Sequence, residues 1–183
     1  MATAAAHRVP VHRLTVDDVH RMVECGVLDE DDRIELVEGV LVDMAPIGAE
    51  HEGAVDWLLR QFTRVNSDAW TVRVQNTLLI EGGYFLPDLA VVEPLTRQQQ
   101  PVTALLVVEV AQTSQVHDHG KAGAYAAADV AEYWIADLAA RRLVVHRRPL
   151  AGVYEDVATY ADGESVTPLL AGASPVGVSE LLG

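Results

Sequence analysis

The sequence predicts a mixed α/β (α+β) fold, a central mixed β-sheet flanked by helices. Three observations point there. Helix-period and strand-like segments follow one another in the order helix, hairpin, helix, several strands, helix, more strands. Thr103 to Val110 is a nearly continuous apolar run, as expected of a central strand covered on both faces. Half of the 183 residues are hydrophobic and few are aromatic, so Val, Leu and Ala must fill the core. That length suits one domain over residues 1–183, with 1–13 as a flexible N-terminal segment.

Each element has its own signal. Leu14 to Gly26 predicts a helix: Thr15 is suited to the N-cap, Asp17 and Asp18 to the first turn, and Gly26 to the stop. Val16, Val19 and Val23 share its apolar face. Arg33 to Met44 predicts a hairpin turning at Glu38-Gly39. A second helix runs from His51 to about Phe62, with Ala54, Val55, Leu58, Leu59 and Phe62 as its stripe. His51 extends that inward stripe. Trp70 to Ile80 predicts a strand, broken by Gly82-Gly83, and Tyr84 to Val92 the next. After a polar loop at Arg97 to Pro101 comes the central strand, then a helix from His117 or Asp118 to about Ala128, with Asp118 as N-cap. Glu132 to Asp137 and Arg142 to Arg147 predict strands joined by a short turn, and Val153 to Tyr160 one more, closed by Asp162-Gly163. The remaining tail is only weakly periodic.

Composition narrows the function classes. The net charge of −14 opposes tight, nonspecific binding to phosphate backbones and favours a partner, a metal or a specialised substrate. A single cysteine, Cys25, rules out an internal disulfide and a thiolate metal cluster. No apolar run approaches a membrane span, and Met1 to Arg8 lacks the apolar stretch of a signal peptide, so the expectation is a cytoplasmic protein without membrane association.

Two carboxylates stand out, Asp88 after Pro87 and Glu109 near the end of the central run. An ionised side chain in such a run must be solvated, paired or metal-bound, because burying it alone costs several kcal/mol. Alternation places Asp88 on a face with Leu86 and Ala90, and Glu109 with Leu105 and Val107. If the two strands are neighbours in register, both carboxylates reach one Mg²⁺, with the backbone carbonyl of Val110 as a further oxygen ligand. Lys121 then offers an ammonium to orient water or stabilise phosphoryl charge. A plainer arrangement fits the same residues: Asp88 caps a strand, Glu109 pairs with an Arg, and Lys121 is solvated.

Pro87-Asp88, Val108-Glu109-Val110-Ala111, Asp118-His119-Gly120-Lys121 with Tyr125, and Glu132 to Leu138 form an ordered series that resembles the Uma2 family of restriction endonucleases, within the PD-(D/E)xK nuclease superfamily. Ile34 to Gly39, Met44 to Gly48 followed by His51, and Val72 to Asn76 agree with that family's segments, so the resemblance spans roughly residues 14–150. It implies a restriction-endonuclease-like core and Mg²⁺-dependent cleavage of DNA phosphodiesters, with Mn²⁺ as an alternative cation. It makes Asp88, Glu109 and Lys121 the catalytic residues. Ala111 occupies the place of the usual lysine, and Lys121 on the following helix replaces it.

The resemblance also makes Glu35 an auxiliary acid, the alternative being a pair with Arg33. His51 is placed in the second coordination sphere or on a phosphate, the alternative being a histidine at a helix start with no catalytic role. Gln75, on a strand face with Arg73, either touches substrate or is a plain polar strand position. Tyr125, one turn from Lys121, either steadies the lysine or simply packs. A homodimer is expected by analogy with nucleases that cut two strands with two-fold subunits. Three stretches depart from the family pattern: Tyr84-Phe85-Leu86, Gln112-Thr113-Ser114 and Ala128-Asp129-Val130. They leave open a competing reading, a catalytically weak or inactive nuclease-fold module that acts in binding or assembly.

Overall fold

The computed structural model describes residues 11–64, 68–112 and 115–183, so the first ten residues of the expected N-terminal segment lie outside the description. Helix α1 (Val16–Glu24) starts on a capping box. The Thr15 hydroxyl accepts from the amide of Asp18, and the Asp18 carboxylate accepts from the amide of Thr15. Gly26 ends it with φ +71°, where a side chain would be strained. Strands β1 (Ile34–Val37) and β2 (Val40–Asp43) form the predicted hairpin, with Glu38 and Gly39 both left-handed at its two-residue turn. Helix α2 (Ala49–Thr63) buries His51, Ala54, Val55, Leu58 and Phe62.

The next two expected strands are each divided. Trp70 to Ile80 becomes β3 (Thr71–Arg73) and β4 (Leu78–Ile80), which belong to different sheets. The break is at Gln75, whose φ of +50° turns the chain and whose amide bonds to Pro87. Tyr84 to Val92 becomes β5 (Gly83–Phe85) and β6 (Leu89–Val92). Pro87 between them has no N–H for a ladder, so the chain changes sheet there too. Gly83 is needed where β5 crosses β1, because a Cβ there would run into the carbonyl of Leu36.

Strand β7 (Leu106–Ala111) starts later than the apolar run suggests. Ala104 lends its carbonyl to Ala131 instead, and Leu105 packs on the opposite side of the sheet from Val107. Leu105 therefore does not share the face of Glu109. Helix α3 (Gln115–Ala127) begins before Asp118, which lies inside the helix and is not its cap. Strands β8 (Glu132–Asp137), β9 (Arg142–Leu150) and β10 (Val153–Ala161) follow as expected. The tail adds β11 (Ser165–Val166), β12 (Val176–Gly177) and α4 (Val178–Leu182).

The main sheet has the order β10-β9-β8-β7-β6-β3. Its β7–β8 pair is parallel and the others antiparallel, so it is mixed as predicted. A second sheet, β2-β1-β5-β4, and the small β11-β12 pair complete the structure. Alternation along β6 and β7 divides the core in two. Leu89, Val91, Leu106, Val108 and Val110 join α2 and α4 on one side. Ala90, Val92, Val107 and Ala111 join Tyr125 of α3, Leu78 of β4 and Phe85 of β5 on the other. Each fully buried Val or Leu contributes about 1.5–3 kcal/mol, so both faces hold the central strands in place.

Candidate active site

The pairing of β6 with β7 sets Leu89 opposite Val108 and Ala90 opposite Val107. Continued by one residue, it sets Asp88 beside Glu109. Both carboxylates are 5% exposed. The amide of Asp88 leans toward Oε2 of Glu109 at 3.4 Å, and the amide of Val110 donates to Oδ2 of Asp88 at 2.9 Å. Two buried acids are thus held side by side by the backbone of the two strands that carry them.

Helix α3 brings Lys121 to them. Its Nζ donates to Oε1 of Glu109 at 3.1 Å and to Oε1 of Glu35 at 2.8 Å, and lies 5.0 Å from the centre of the Phe85 ring. Glu35 therefore pairs with Lys121, and Arg33 has no ion pair with it. The same Glu35 oxygen accepts from the amide of Leu86 at 3.0 Å, where the chain leaves β5 for β6. Tyr125 donates its hydroxyl to Oε1 of Glu109 at 2.7 Å. It steadies the carboxylate on which the lysine rests, and not the lysine itself.

Asp88 has two further partners. Nε2 of His51, at the start of α2, forms a hydrogen bond of 2.9 Å with Oδ2. Nδ1 of His51 is buried without a partner. The side-chain amide of Gln75 reaches Oδ1 of Asp88 at 3.4 Å. Gln75 stands past the end of β3 in a left-handed turn and so does not share a strand face with Arg73. All seven expected side chains belong to one network, and Val110 joins it through its amide.

Glu109 is costly to ionise where it stands. Burial is the largest influence on Glu109 and pushes its carboxyl from 4.5 up to about 7. The charges of Asp88 and Glu35 push the same way, while Lys121 and the Tyr125 hydroxyl pull it down. Burial opposes the charge on Lys121, but Glu109 and Glu35 outweigh it and hold the ammonium above its usual range. An isolated ion pair would lower the acid as well as raise the base. Here the acid rises because it answers to two other carboxylates and to burial. The neutral carboxyl of Glu109 supports the fold fully below the ordinary value, and that support is lost as pH rises from 4.5 through about 7. Metal-free protein should therefore melt at falling temperatures across this window, and Glu109→Gln should flatten the slope. Equal slopes in the two proteins would refute the assignment.

Glu35, His51, Asp88, Glu109 and Lys121 line a cleft of about 490 Å³ together with Arg33, Met44, Ile47 and Gln112, while Gln75 and Tyr125 stand behind its wall. A wider, mostly apolar groove of about 1040 Å³ meets it at Glu35 and Lys121 and runs along Val37, Ile80 and Ala124. The carboxylates that can hold a cation lie in the smaller cleft. The sequence marks Arg33 only as a partner for Glu35, because nothing in a strand pattern distinguishes a guanidinium that faces a cleft.

Among the described residues no helix is long and apolar enough to cross a membrane. No curated protein matches the chain in sequence. Its fold is similar to that of a crystal structure from Anabaena variabilis ATCC 29413, described as a putative nuclease belonging to DUF820. The TM-score is 0.74 at 11% identity, over 92% of this chain and 97% of that one. The likeness is one of fold. The model of the Uma2 family, described as "putative restriction endonuclease", matches residues 16–176, and the chain belongs to that family.

Proposed function

We propose that this protein is a metal-dependent endonuclease that hydrolyses DNA phosphodiester bonds, with Asp88, Glu109 and Lys121 as its catalytic residues. The observation that carries the reading is their convergence: adjacent buried carboxylates on paired strands, with a half-buried ammonium 3.1 Å from one of them. Among the described residues no three His, Cys, Asp or Glu side chains are grouped to hold a metal ion by themselves. Two carboxylates suit instead a hard cation that keeps waters and takes substrate oxygens, which describes Mg²⁺ and, as a substitute, Mn²⁺. Oδ1 of Asp88 and Oε2 of Glu109 have only long contacts of 3.4 Å and so retain lone pairs for it. The carbonyl of Val110 is the proposed third ligand from the chain.

Bound there, the ion would polarise the phosphoryl oxygen and acidify a water. The chain supplies the rest. His51 and the Val110 amide fix the Asp88 carboxylate, and Tyr125 fixes that of Glu109. Glu35 shares Lys121 with Glu109, so the ammonium is held toward the cleft, where it can orient the attacking water or meet charge on the phosphate. Water attacks phosphorus, one P–O ester bond breaks, and the leaving oxygen takes up a proton.

The net charge of −14 favours the competing reading, a module of the same fold that binds or assembles without cutting. Incubation of the purified protein with single- and double-stranded DNA separates the two. Products should appear with Mg²⁺ or Mn²⁺ and vanish with a chelator. Metal bound in calorimetry with neither DNA cut would favour the module.

A further inference from the structure

The cleft holds a cation that its carboxylates do not use. Arg33 stands just before β1, and its carbonyl accepts from the amide of Met44 at 2.9 Å, so the hairpin pairing extends to it. Residues two apart on a strand share a face. Arg33 therefore stands beside Glu35, and both line the cleft with Val42 and Met44 opposite them. One terminal guanidinium nitrogen of Arg33, Nη2, is buried and has no hydrogen-bond partner.

The buried acids of the cleft are engaged elsewhere, and Asp43 is exposed to solvent. Glu35 holds Lys121 and the Leu86 amide. Asp88 holds His51 and the Val110 amide. Glu109 holds Lys121 and Tyr125. A buried donor without an acceptor is unfavourable, and more so on a charged group, so few are found in folded proteins. A guanidinium in a cleft lined by Glu35, Asp43, Asp88 and Glu109 yet paired with none of them is matched to an acceptor from outside the chain. Its planar fork suits an anion with two oxygens on one centre, as a phosphodiester has. Lys121 cannot fill that role alone, because two carboxylates already offset its charge.

We propose that Arg33 grips the substrate phosphate, its guanidinium donating to the non-bridging oxygens of the phosphodiester presented to Asp88 and Glu109. This rests on the nuclease reading for what is cut, but not for what is bound. It also gives an acidic protein a local means of accepting an anion.

Arg33→Gln and Arg33→Lys test it. The probe is a short fluorescein-labelled oligothymidylate, read by anisotropy with Ca²⁺ in place of Mg²⁺. Arg33→Gln should bind about tenfold to a hundredfold more weakly than the natural protein, as the loss of hydrogen bonds to a charged group predicts. Arg33→Lys, which keeps the charge but loses the fork, should fall between. Mn²⁺ binding in calorimetry should be unchanged, and the melting temperature equal or higher, since an unpaired buried donor is gone.

Binding by Arg33→Gln within twofold of the natural protein would overturn the proposal. So would parallel losses of Mn²⁺ binding and melting temperature, or a natural protein that does not bind the oligonucleotide. The two readings fail separately. Arg33-dependent binding without any cleavage removes the nuclease and keeps the phosphate grip. Cleavage with unchanged kcat and KM in Arg33→Gln does the reverse.

Discussion

Asp88→Asn should abolish DNA cleavage, by at least about a thousandfold or roughly 4 kcal/mol of barrier, while leaving the fold intact. The amide has the shape of the carboxylate, and its oxygen can still accept from the Val110 amide or from His51. What it loses is the negative charge that a hard cation needs. Mn²⁺ binding in calorimetry should fall with activity. The melting temperature of the metal-free protein should hold or rise, because the Asp88 charge is one of the influences that make Glu109 costly to ionise. Lys121→Ala should lower kcat by about a hundredfold to a thousandfold, the scale of losing one preorganised charge. It should also weaken the fold, since Glu35 and Glu109 would face each other without their shared cation. Equal traces of cleavage in the natural protein and both variants would mean a contaminating nuclease and would end the catalytic assignment.

The largest loss of stability is expected away from the cleft, at Glu132. This residue of β8 is 0% exposed and fully bonded. Oε1 accepts from Nε1 of Trp134 at 2.9 Å and from Nε of Arg147 at 2.8 Å, and Oε2 accepts from the amide of Leu169 at 2.8 Å. Arg147 in turn donates to the carbonyl of Thr167 at 2.7 Å. One carboxylate therefore ties the segment after β11 to the main sheet, beside Leu170 and Trp134 of the core. Glu132→Ala strands the Arg147 charge, an indole N–H and a backbone amide, and should cost about 3–5 kcal/mol. Glu132→Gln keeps the shape but turns a donor toward groups that only donate, and should cost about 1–3 kcal/mol. Denaturant midpoints measure both. A midpoint for Glu132→Ala equal to that of the natural protein would refute the anchor, and DNA cleavage per folded molecule should change in neither variant.

What the sequence reveals depends on whether a residue's role is local. The N-cap at Thr15, the hairpin at Glu38-Gly39 and the buried stripe of α2 follow from neighbours a few positions away, and all form as expected. The passage between sheets is not local. The left-handed turn at Gln75 goes with a bond from its amide to the carbonyl of Pro87 in a distant segment, so the strand pattern over Trp70 to Ile80 carries no sign of the break. Strands β11 and β12 are two residues each, too short to show any period. At the site, Asp88 and Glu109 were visible as charges in apolar runs. Lys121 was distinguished from a solvated lysine only by family resemblance. The roles of Tyr125, Glu132 and Arg33 depend on tertiary neighbours, which periodicity does not encode.

The pairing of Asp88 with Glu109 across β6 and β7 sets what kinds of change in the gene the site can survive. The largely exposed start of the connection between these strands, residues 93–100, carries none of the side chains of the site. Codons gained or lost there would leave both carboxylates where they are. A single codon inserted between Asp88 and Val92 would turn Asp88 to the other face of the sheet and separate it from Glu109. Point substitutions in these strands can be absorbed by repacking, but a change of length within them cannot. Among relatives that keep the chemistry, length variation should therefore gather in the loop and be missing from the few residues on either side of it.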